Sequence, residues 1–458
     1  MTVGVELDEK KIDRIFAGLD SCRLPGAAVG IAIDGRPVCR EGFGLANMEL
    51  PVVLSPTTRM RIGSASKHFT SLAYLLLCEE GRAGIDDPIG KYLPELHPVA
   101  HPVTARQLMS HTSGLRDVHD ICWQFGGLGR PVSSAELLSL YRDIGDANGP
   151  PGTEWNYNNG GYLMLSAAIE QITGQSLEDV LRERLFEPVG LHNTLLRRFD
   201  TDFVPNSATL HMTDAAGRFG KSYLGTALAG EGGIVSTVDD MLRWLAHMDT
   251  PAVGSPATWE AIKTSQRLHD RASTGYGLGL VVGNYRGVET LSHGGGVLGG
   301  NSQMLKVPAV GLDVVVLINR HDLEATSLTN EILDDCLVGL AAAENPASRA
   351  FGEFDNVDER IPVQPIDRPD FGAIAGRYRS IATGTEVTIG ESEEGARMAA
   401  VGRFGSVTYD LKCLAEGSWR AHSPTAAFLG GVLSFDDDDA GFRFSTHRTR
   451  SLRFRREA

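Results

Sequence analysis

The spacing of apolar residues changes from helical to strand-like near the start of the chain. Over residues 8–20 the apolar positions recur at helical spacing, which predicts an amphipathic helix. Two apolar runs follow at 27–33 and 37–43, and they flank Asp34-Gly35. An Asp-Gly pair between two strand-like runs is a strong hairpin signal, so the sequence predicts an antiparallel pair here.

Helical periodicity dominates the middle of the chain, and strand-like runs return late. Within about 85–200 the pattern predicts a glycine-rich, partly aromatic loop over 123–129 and helices over 104–111, 134–141, 162–173 and 177–185. Later, it predicts a closing helix over 323–342 and strands over 276–282, 288–292, 303–307 and 312–318. This order predicts an α+β fold, in which helices flank an antiparallel sheet and the middle of the chain forms an all-helical subdomain.

The C-terminal part of the chain has a different pattern. Charges and prolines crowd together over 344–371 with little periodicity, which indicates a linker. Short strand-like runs then recur over 372–458, which predicts a small all-β sandwich or barrel, and we favour an antiparallel barrel. The predicted domains are therefore 1–343, with its helical insertion at about 85–200, and 372–458.

Composition limits the classes of binding partner and the cellular compartments that we expect for this protein. The net charge of the 458-residue chain is −15, which argues against nucleic acid and anionic membrane surfaces as partners. The N-terminus lacks the basic head and apolar run of a secretory signal, and we find no stretch apolar enough to span a membrane. The six cysteines are scattered without a CxxC motif, so we expect reduced thiols in a cytoplasmic protein. Four acids at 436–439 favour a solvated turn over a calcium loop, which needs spaced ligands.

The first candidate motif is Ser64-Ala65-Ser66-Lys67, at the predicted start of a helix. Positions three apart lie on one helix face, so Lys67 can reach the hydroxyl of Ser64. A serine becomes a good nucleophile when a base takes its proton, and a neutral lysine amine can do so. The alternative is a solvated serine and a surface lysine on an amphipathic helix.

Two further motifs carry candidate chemistry. Tyr157-Asn158-Asn159 precedes a predicted helix. Tyr157 could pass a proton to a leaving group, and Asn159 could bind substrate. The alternative is that the segment only caps the helix. His293 precedes Gly294, Gly295 and Gly296, and such glycines let a backbone approach a ligand closely. The N–H groups of Gly296 and Ser64 could form an oxyanion hole. His293 could be a catalytic residue that helps hold the proton network of Lys67 and Tyr157, it could bind substrate, or it could be a turn histidine.

The three motifs, in this order, resemble those of the penicillin-recognising serine hydrolases. That superfamily includes class C β-lactamases, DD-peptidases, esterases of β-lactamase fold and D-aminopeptidases. Supporting segments are the Asp34-Gly35 hairpin, His111-Thr112-Ser113-Gly114-Leu115, Pro151-Gly152 and the run 232–237. The resemblance covers roughly residues 8–343 and implies a β-lactamase/transpeptidase-like fold.

The resemblance also implies roles for individual residues. Ser64 would be the nucleophile, Lys67 its base, Tyr157 the proton shuttle and Asn159 a substrate-binding residue. His293 stands where β-lactamases and DD-peptidases usually carry a lysine that recognises a substrate carboxylate. His-Gly-Gly at this place is similar to the D-stereospecific aminopeptidases, which carry two C-terminal barrels where this chain has room for one.

A free α-amino group on the substrate would need a nearby anion, and Asp117 and Glu231 are the acids closest to the motifs. Either could bind the amine, or either could be a structural carboxylate paired with a cation such as Arg116. We therefore expect a serine hydrolase, without metal or cofactor, acting on small amides or short peptides with an N-terminal D-residue. The alternatives are a broad carboxylesterase or weak β-lactamase/DD-peptidase, and a catalytically silent binding protein. A homodimer is compatible with the sequence, which does not fix the oligomeric state.

Overall fold

A computed structural model describes residues 4–19, 23–214, 216–338, 371–392, 395–426, 428–436 and 440–457. Its helices are α1 Glu9–Phe16, α2 Lys67–Glu79, α3 Ala105–Met109, α4 Val118–Gly126, α5 Ser134–Asp143, α6 Asn159–Thr173, α7 Leu177–Leu181, α8 Glu187–Val189, α9 Val238–His247, α10 Pro256–Lys263, α11 Ala325–Cys336 and α12 Phe371–Ile374. The strands before residue 339 are β1 Gly4–Val5, β2 Ala27–Ile33, β3 Arg36–Phe43, β4 Leu45–Asn47, β5 Val52–Val53, β6 Met60–Arg61, β7 Leu195–Leu196, β8 His211–Thr213, β9 Phe219–Lys221, β10 Ile234–Ser236, β11 Val281–Tyr285, β12 Val288–Val297, β13 Gly300–Val307, β14 Leu312–Ile318 and β15 Leu337–Val338. The later strands are β16 Gly376–Arg379, β17 Glu386–Ser392, β18 Gly395–Gly402, β19 Gly405–Ala415, β20 Ser418–His422, β21 Gly430–Phe435, β22 Gly441–Ser445 and β23 Leu452–Arg456.

The chain divides into two compact units, each made of two segments. The first unit comprises Met1–Asp87 and Leu165–Gly352, and the second comprises Pro88–Met164 and Glu353–Ala458. The stretch at about 85–200 that we predicted as one helical insertion is therefore shared between the units. Its earlier helices belong with the C-terminal strands, because α4 packs on them as described below.

The first unit is built on a six-stranded antiparallel sheet in the order β11-β12-β13-β14-β2-β3. The predicted hairpin at Asp34-Gly35 is confirmed, since β2 and β3 pair from Ile33↔Arg36 outward. Strand β14 is buried along its whole length, as expected for an inner strand covered on both faces.

Helices cover both faces of this sheet. One face packs on α1 and α11 in a core that includes Phe16, Ile31, Val314 and Ile332. On the other face, α9 lies so close to β2 that a Cβ on Gly30 would come within 2.3 Å of Val238. Removing this apolar surface from water is the main favourable contribution to folding of the unit.

The second unit combines α3 to α5 and the start of α6 with an antiparallel barrel. Eight described strands, β16 to β23, close the barrel through pairing of β16 with both β17 and β23. The predicted all-β domain is thus a barrel, which removes the unpaired strand edges that a sandwich would leave. Helix α4 packs against β18 and β19.

Glycines allow α4 to approach the barrel closely. A Cβ on Gly405 would lie 2.3 Å from the carbonyl oxygen of Gly126, and one on Gly402 would lie 2.8 Å from that of Phe125. The Tyr409 hydroxyl from β19 donates to the Gln124 carbonyl oxygen at 2.6 Å.

Several local predictions are corrected. The loop predicted over 123–129 is wrong for its first part, because α4 runs to Gly126 from an Asp117 N-cap whose side chain accepts from the His119 N–H. The strand predicted over 276–282 begins only at Val281, and Tyr276 lies in the preceding loop.

Some predictions fall outside the described residues. The predicted linker lies outside them up to residue 370, as do residues 339–342 of the helix predicted over 323–342 and residues 437–439 of the acidic run. That helix prediction is wrong at residues 337–338, because α11 ends at Cys336 and Leu337–Val338 form β15, which pairs with β1. Among the described residues, no helix has the length and apolar character needed to cross a bilayer.

Candidate active site

Ser64 lies in a 3₁₀ turn, Gly63–Ser66, that leads from β6 into α2. The backbone of Gly63 has φ +51°, in the left-handed region that favours glycine. Within this turn Gly63, Ala65 and Ser66 are buried, whereas Ser64 is partly exposed. The turn therefore presents the Ser64 hydroxyl outward at the head of a buried helix.

Ser66 has a structural place instead. Its hydroxyl donates to the Gly63 carbonyl oxygen at 2.7 Å and accepts from the Ile234 N–H at 3.1 Å. These bonds hold the turn against β10, so Ser66 fixes the conformation that exposes Ser64.

Lys67 is the first residue of α2, and its side chain is fully buried. Its Nζ lies 3.0 Å from the Oγ of Ser64 and donates to the carbonyl oxygen of Glu231 at 2.6 Å. Burial disfavours the charged form of an amine, and so does a helix N-terminus. In its neutral form the amine is within reach of the proton of Ser64.

Glu231 lies in a loop fastened to α2. Thr70 donates its hydroxyl to the Gly230 carbonyl oxygen at 2.9 Å, and a Cβ on Gly230 would meet the Thr70 Oγ1 at 2.4 Å. The carboxylate of Glu231 is buried, and its Oε1 accepts from the Ala229 N–H at 2.7 Å. The loop thus holds the Glu231 carbonyl oxygen within hydrogen-bond distance of the Lys67 Nζ.

His293 is fully buried in β12 and uses both ring nitrogens. Its Nδ1 lies 2.5 Å from the Gly294 carbonyl oxygen, which can only accept, so Nδ1 carries the proton. Its Nε2 then accepts from the Tyr276 hydroxyl at 2.9 Å. Burial lowers the pKa of His293 well below its usual value, and Lys67 lowers it further whenever its amine is protonated. The ring is a neutral, fixed element of the strand.

Two of the three glycines after His293 differ in their packing. A Cβ on Gly295 would lie 1.9 Å from the carbonyl oxygen of Ile62, just before the Ser64 turn, whereas one on Gly296 would meet nothing within 4 Å. Ser302 from β13 donates to the same Ile62 carbonyl oxygen at 2.8 Å. Gly295 is thus required for close packing of β12 on the Ser64 turn.

In the second unit, Tyr157 lies in the loop that leads into α6. Its side chain is buried, and its ring centroid lies 4.1 Å from that of His111. His111 has φ +59°, and its Nδ1 accepts from the Asn158 N–H at 3.1 Å. The predicted supporting segment at 111–115 therefore shapes the Tyr157 loop directly.

Asn159 begins α6, and its backbone is held by Asp117. The Asp117 carboxylate accepts from the N–H groups of His119, Asn159 and Gly160 at 3.1–3.2 Å. Its Oδ2 also lies 3.6 Å from an Nη of Arg448. Asp117 thus joins the heads of α4 and α6.

The cation next to Asp117 differs from the one suggested by sequence adjacency. Arg116 pairs instead with both carboxylate oxygens of Asp146, at 2.5 and 2.6 Å. Sequence reasoning missed Tyr276 and Arg448, because neither belongs to a local motif and each meets its partner only through the fold. In the part of the chain that the structure describes, no three His, Cys, Asp or Glu side chains are grouped as metal ligands.

Comparison with known proteins identifies the family to which the chain belongs. The sequence model of the β-lactamase family matches residues 12–336. The chain belongs to the β-lactamase family. It is a serine hydrolase of the β-lactamase superfamily, and the fold expected from the motifs is confirmed.

Curated relatives of this β-lactamase family member include D-aminopeptidases. The protein of that name from Brucella anthropi is 28% identical over 399 residues, which cover 84% of this chain and 73% of the relative. The D-aminopeptidase of Brucella canis is 27% identical over 402 residues, covering 84% and 74%.

Solved structures share the fold. The octameric penicillin-binding protein homologue from Pyrococcus abyssi has a TM-score of 0.64 at 23% identity, covering 98% of this chain and all of that one. The D-amino acid amidase from Ochrobactrum anthropi SV3, solved with L-phenylalanine, has a TM-score of 0.60 at 20% identity, covering 71% of this chain and 98% of that one.

Proposed function

We propose that this serine hydrolase cleaves small amides or short peptides with an N-terminal D-residue through an acyl-enzyme on Ser64. The observation that carries the proposal is the 3.0 Å separation of the buried Lys67 amine from the partly exposed Ser64 hydroxyl. The relatives named D-aminopeptidase support the substrate class.

In the proposed reaction, neutral Lys67 takes the Ser64 proton while Oγ attacks the substrate carbonyl carbon. The N–H groups of Ser64 and Gly296 would stabilise the negative oxygen of the tetrahedral intermediate. Tyr157 would relay a proton to the leaving amine, so that the C–N bond breaks and an ester to Ser64 remains. Water then attacks this ester and gives one proton to Lys67, which passes it to the Ser64 Oγ as the ester C–O bond breaks and the acid product leaves.

The neutral state of His293 affects which substrates we expect the enzyme to prefer. Both ring nitrogens of His293 are engaged within the first unit, and burial keeps the ring uncharged. A neutral ring offers no charge to a substrate carboxylate, unlike the lysine of β-lactamases and DD-peptidases. We propose that His293 fixes Gly294, Gly295 and Gly296, and that substrates without a carboxylate at this place are preferred.

The substrate amine needs an acid, and the contacts of Asp117 favour Glu231 for this role. The Asp117 carboxylate already accepts from three backbone N–H groups and faces Arg448. Glu231, whose Oε1 accepts from the Ala229 N–H, belongs to the loop that contacts Lys67 beside Ser64. We propose that Glu231 contributes the negative charge near the amine, with Asn159 as a further substrate-binding residue.

The test is a panel of matched substrates with wild type, Ser64→Ala and Ser66→Ala. The panel holds D-alanine and L-alanine p-nitroanilides, p-nitrophenyl butyrate and a chromogenic cephalosporin. We expect a preference for the D-anilide in wild type, and we expect Ser64→Ala to lower anilide turnover by roughly 10³-fold or more. Ser66→Ala removes the bonds that fix the turn, so it should lower the rate less and keep the preference for the D-anilide. Equal melting temperatures of wild type and Ser64→Ala would show that the loss in Ser64→Ala is not a folding defect.

Other outcomes separate the alternatives. Turnover of only the ester or the cephalosporin would indicate an esterase or a weak β-lactamase. Absence of Ser64-dependent turnover on every substrate would indicate a binding protein on this fold. Glu231→Gln should raise KM for amine-bearing substrates selectively, and an equal effect on p-nitrophenyl butyrate would contradict the amine role.

A further inference from the structure

The loop between β22 and β23 of the barrel has a conformation fixed by its own side chains. The Thr446 hydroxyl accepts from the N–H groups of Arg448 and Thr449 at 3.0 and 2.8 Å. The Thr446 N–H donates to the Thr449 carbonyl oxygen at 2.7 Å. We call residues 446–450 the barrel loop, and these bonds give it one defined shape.

The barrel loop is fastened to the segment that leads into Tyr157. The side chain of Asn148 donates to the Arg448 carbonyl oxygen at 2.6 Å and accepts from the Arg450 N–H at 3.0 Å. Asn156, directly before Tyr157 in sequence, donates to the His447 carbonyl oxygen at 3.0 Å. These bonds join the main chain of the barrel loop to the side chains of Asn148 and Asn156, which lie between α5 and α6, so the barrel loop is a fixed support.

The Arg448 side chain extends from this support onto Tyr157. Its guanidinium carbon lies 5.4 Å from the Tyr157 ring centroid and 5.9 Å from that of Trp123. Only 16% of the side chain is exposed. A guanidinium stacks on aromatic faces, and partial burial strengthens the attraction.

Arg448 also contacts Asp117, which binds the end of the loop that carries Tyr157 and leads into α6. An Nη atom lies 3.6 Å from the Asp117 Oδ2, and the same oxygen accepts from the Asn159 N–H. His111 contacts the Tyr157 ring as well. The charged and titratable groups of the second unit that lie next to the Tyr157 loop therefore include Arg448, Asp117 and His111.

We propose that Arg448 is a positioning residue for Tyr157, which it holds from the barrel by stacking on the ring and by pairing with Asp117. This inference rests on the proposed role of Tyr157 in proton transfer. A planar guanidinium fixes the ring where a flexible ammonium would not. Misplacement of a reacting group by about 1 Å can cost about 10²-fold in rate.

The test compares two D-alanine substrates that share the acyl group, the p-nitroanilide and the p-nitrophenyl ester. The anilide needs a proton on its leaving nitrogen, whereas p-nitrophenolate leaves without one. For Arg448→Ala we expect kcat to fall about 10²-fold on the anilide and clearly less on the ester, with KM nearly unchanged. Arg448→Lys should recover only part of the anilide rate.

The matched control is Arg456→Ala. Arg456 also stacks on a tyrosine of the barrel, with its guanidinium carbon 5.3 Å from the Tyr378 ring centroid. We expect this variant to keep wild-type rates on both substrates. Equal losses for Arg448→Ala and Arg456→Ala, or equal losses of anilide and ester turnover, would mean a general structural role and would overturn the proposal. So would a rise in KM alone, which would make Arg448 a substrate-binding residue.

The double variant separates this inference from the proposed function. If Arg448 acts through Tyr157, adding Arg448→Ala to Tyr157→Phe should cause little further loss. Multiplying effects would show that Arg448 acts independently of Tyr157. Wild-type anilide turnover in Tyr157→Phe would refute the proposed role of Tyr157 itself, whereas a loss there with none in Arg448→Ala would refute only the positioning role.

Discussion

The hydroxyl of Tyr276 donates to the buried imidazole of His293 at 2.9 Å. Tyr276 comes from the loop before β11, and His293 is the residue that precedes the three glycines of β12. Strand β12 is therefore supported, next to its three glycines, by a loop that no motif in the sequence identified.

Replacing Tyr276 with Phe tests this support. The change removes one buried hydrogen bond, which should lower the free energy of unfolding by about 1–3 kcal/mol. We expect kcat to fall while the Ser64 acyl-enzyme still forms, as seen by intact-protein mass spectrometry. Tyr285→Phe is the matched control, because Tyr285 bonds Asp334 and the Asn330 carbonyl oxygen instead. Equal kcat losses in both variants would contradict a specific role for Tyr276.

Activity should depend on pH through Lys67. Its amine can accept the Ser64 proton only when neutral, so we expect kcat/KM to rise from weak acid to weak base. The measurement is initial rate on the D-alanine anilide from about pH 5.5 to about pH 9, with stability followed in parallel. A flat profile over this range would contradict Lys67 as the base.

Gly295 should tolerate no side chain. In Gly295→Ala the new Cβ would overlap the Ile62 carbonyl oxygen, so backbone must shift, at a cost near the upper end of about 1–3 kcal/mol. Gly296→Ala meets nothing within 4 Å and should leave the melting temperature nearly unchanged. Thermal unfolding of the two variants checks this contrast, and equal melting temperatures would contradict it.

Stability should fall in acid because of buried histidines. Burial lowers the pKa of His68 to about 3, and burial followed by the charge of Arg448 lowers that of His447 to about 3. The unfolded chain therefore binds more protons below about pH 6.5. The stabilising contribution is complete above that pH and is lost as pH falls toward 3.

Melting temperature measured from about pH 7.5 to about pH 4.5 should decline below about pH 6.5. His68→Gln should flatten this decline, whatever its effect at neutral pH. His422→Gln is the control, since His422 is exposed on the barrel. Parallel declines in wild type and His68→Gln would contradict the prediction for His68.

Local chemistry explains which elements the sequence could predict. The hairpin at Asp34-Gly35 follows from the turn alone, since both residues have positive φ, at 51° and 71°. Helix α4 was obscured because Gly126, Gly127 and Gly129 suggested a loop around Trp123. Its N-cap, Asp117, is a helix-start signal that the glycines outweighed.

The candidate site was predictable only where the chemistry is local. Ser64 and Lys67 lie three positions apart at a helix start, so their proximity follows from helix geometry. Arg448 reaches Tyr157 across most of the chain, and Tyr276 reaches His293 from a loop that we predicted as a strand. Such contacts depend on the topology of the unit, which apolar periodicity does not encode.

The second unit has a consequence for synthesis on the ribosome. Asn148 bonds a carbonyl 300 positions later in the chain. The helices of this unit therefore emerge long before the strands they contact, and pairing over such sequence separations is slow to form. The barrel loop is translated long after Ser64 and Tyr157, so a nascent chain carries both residues well before Arg448 is made.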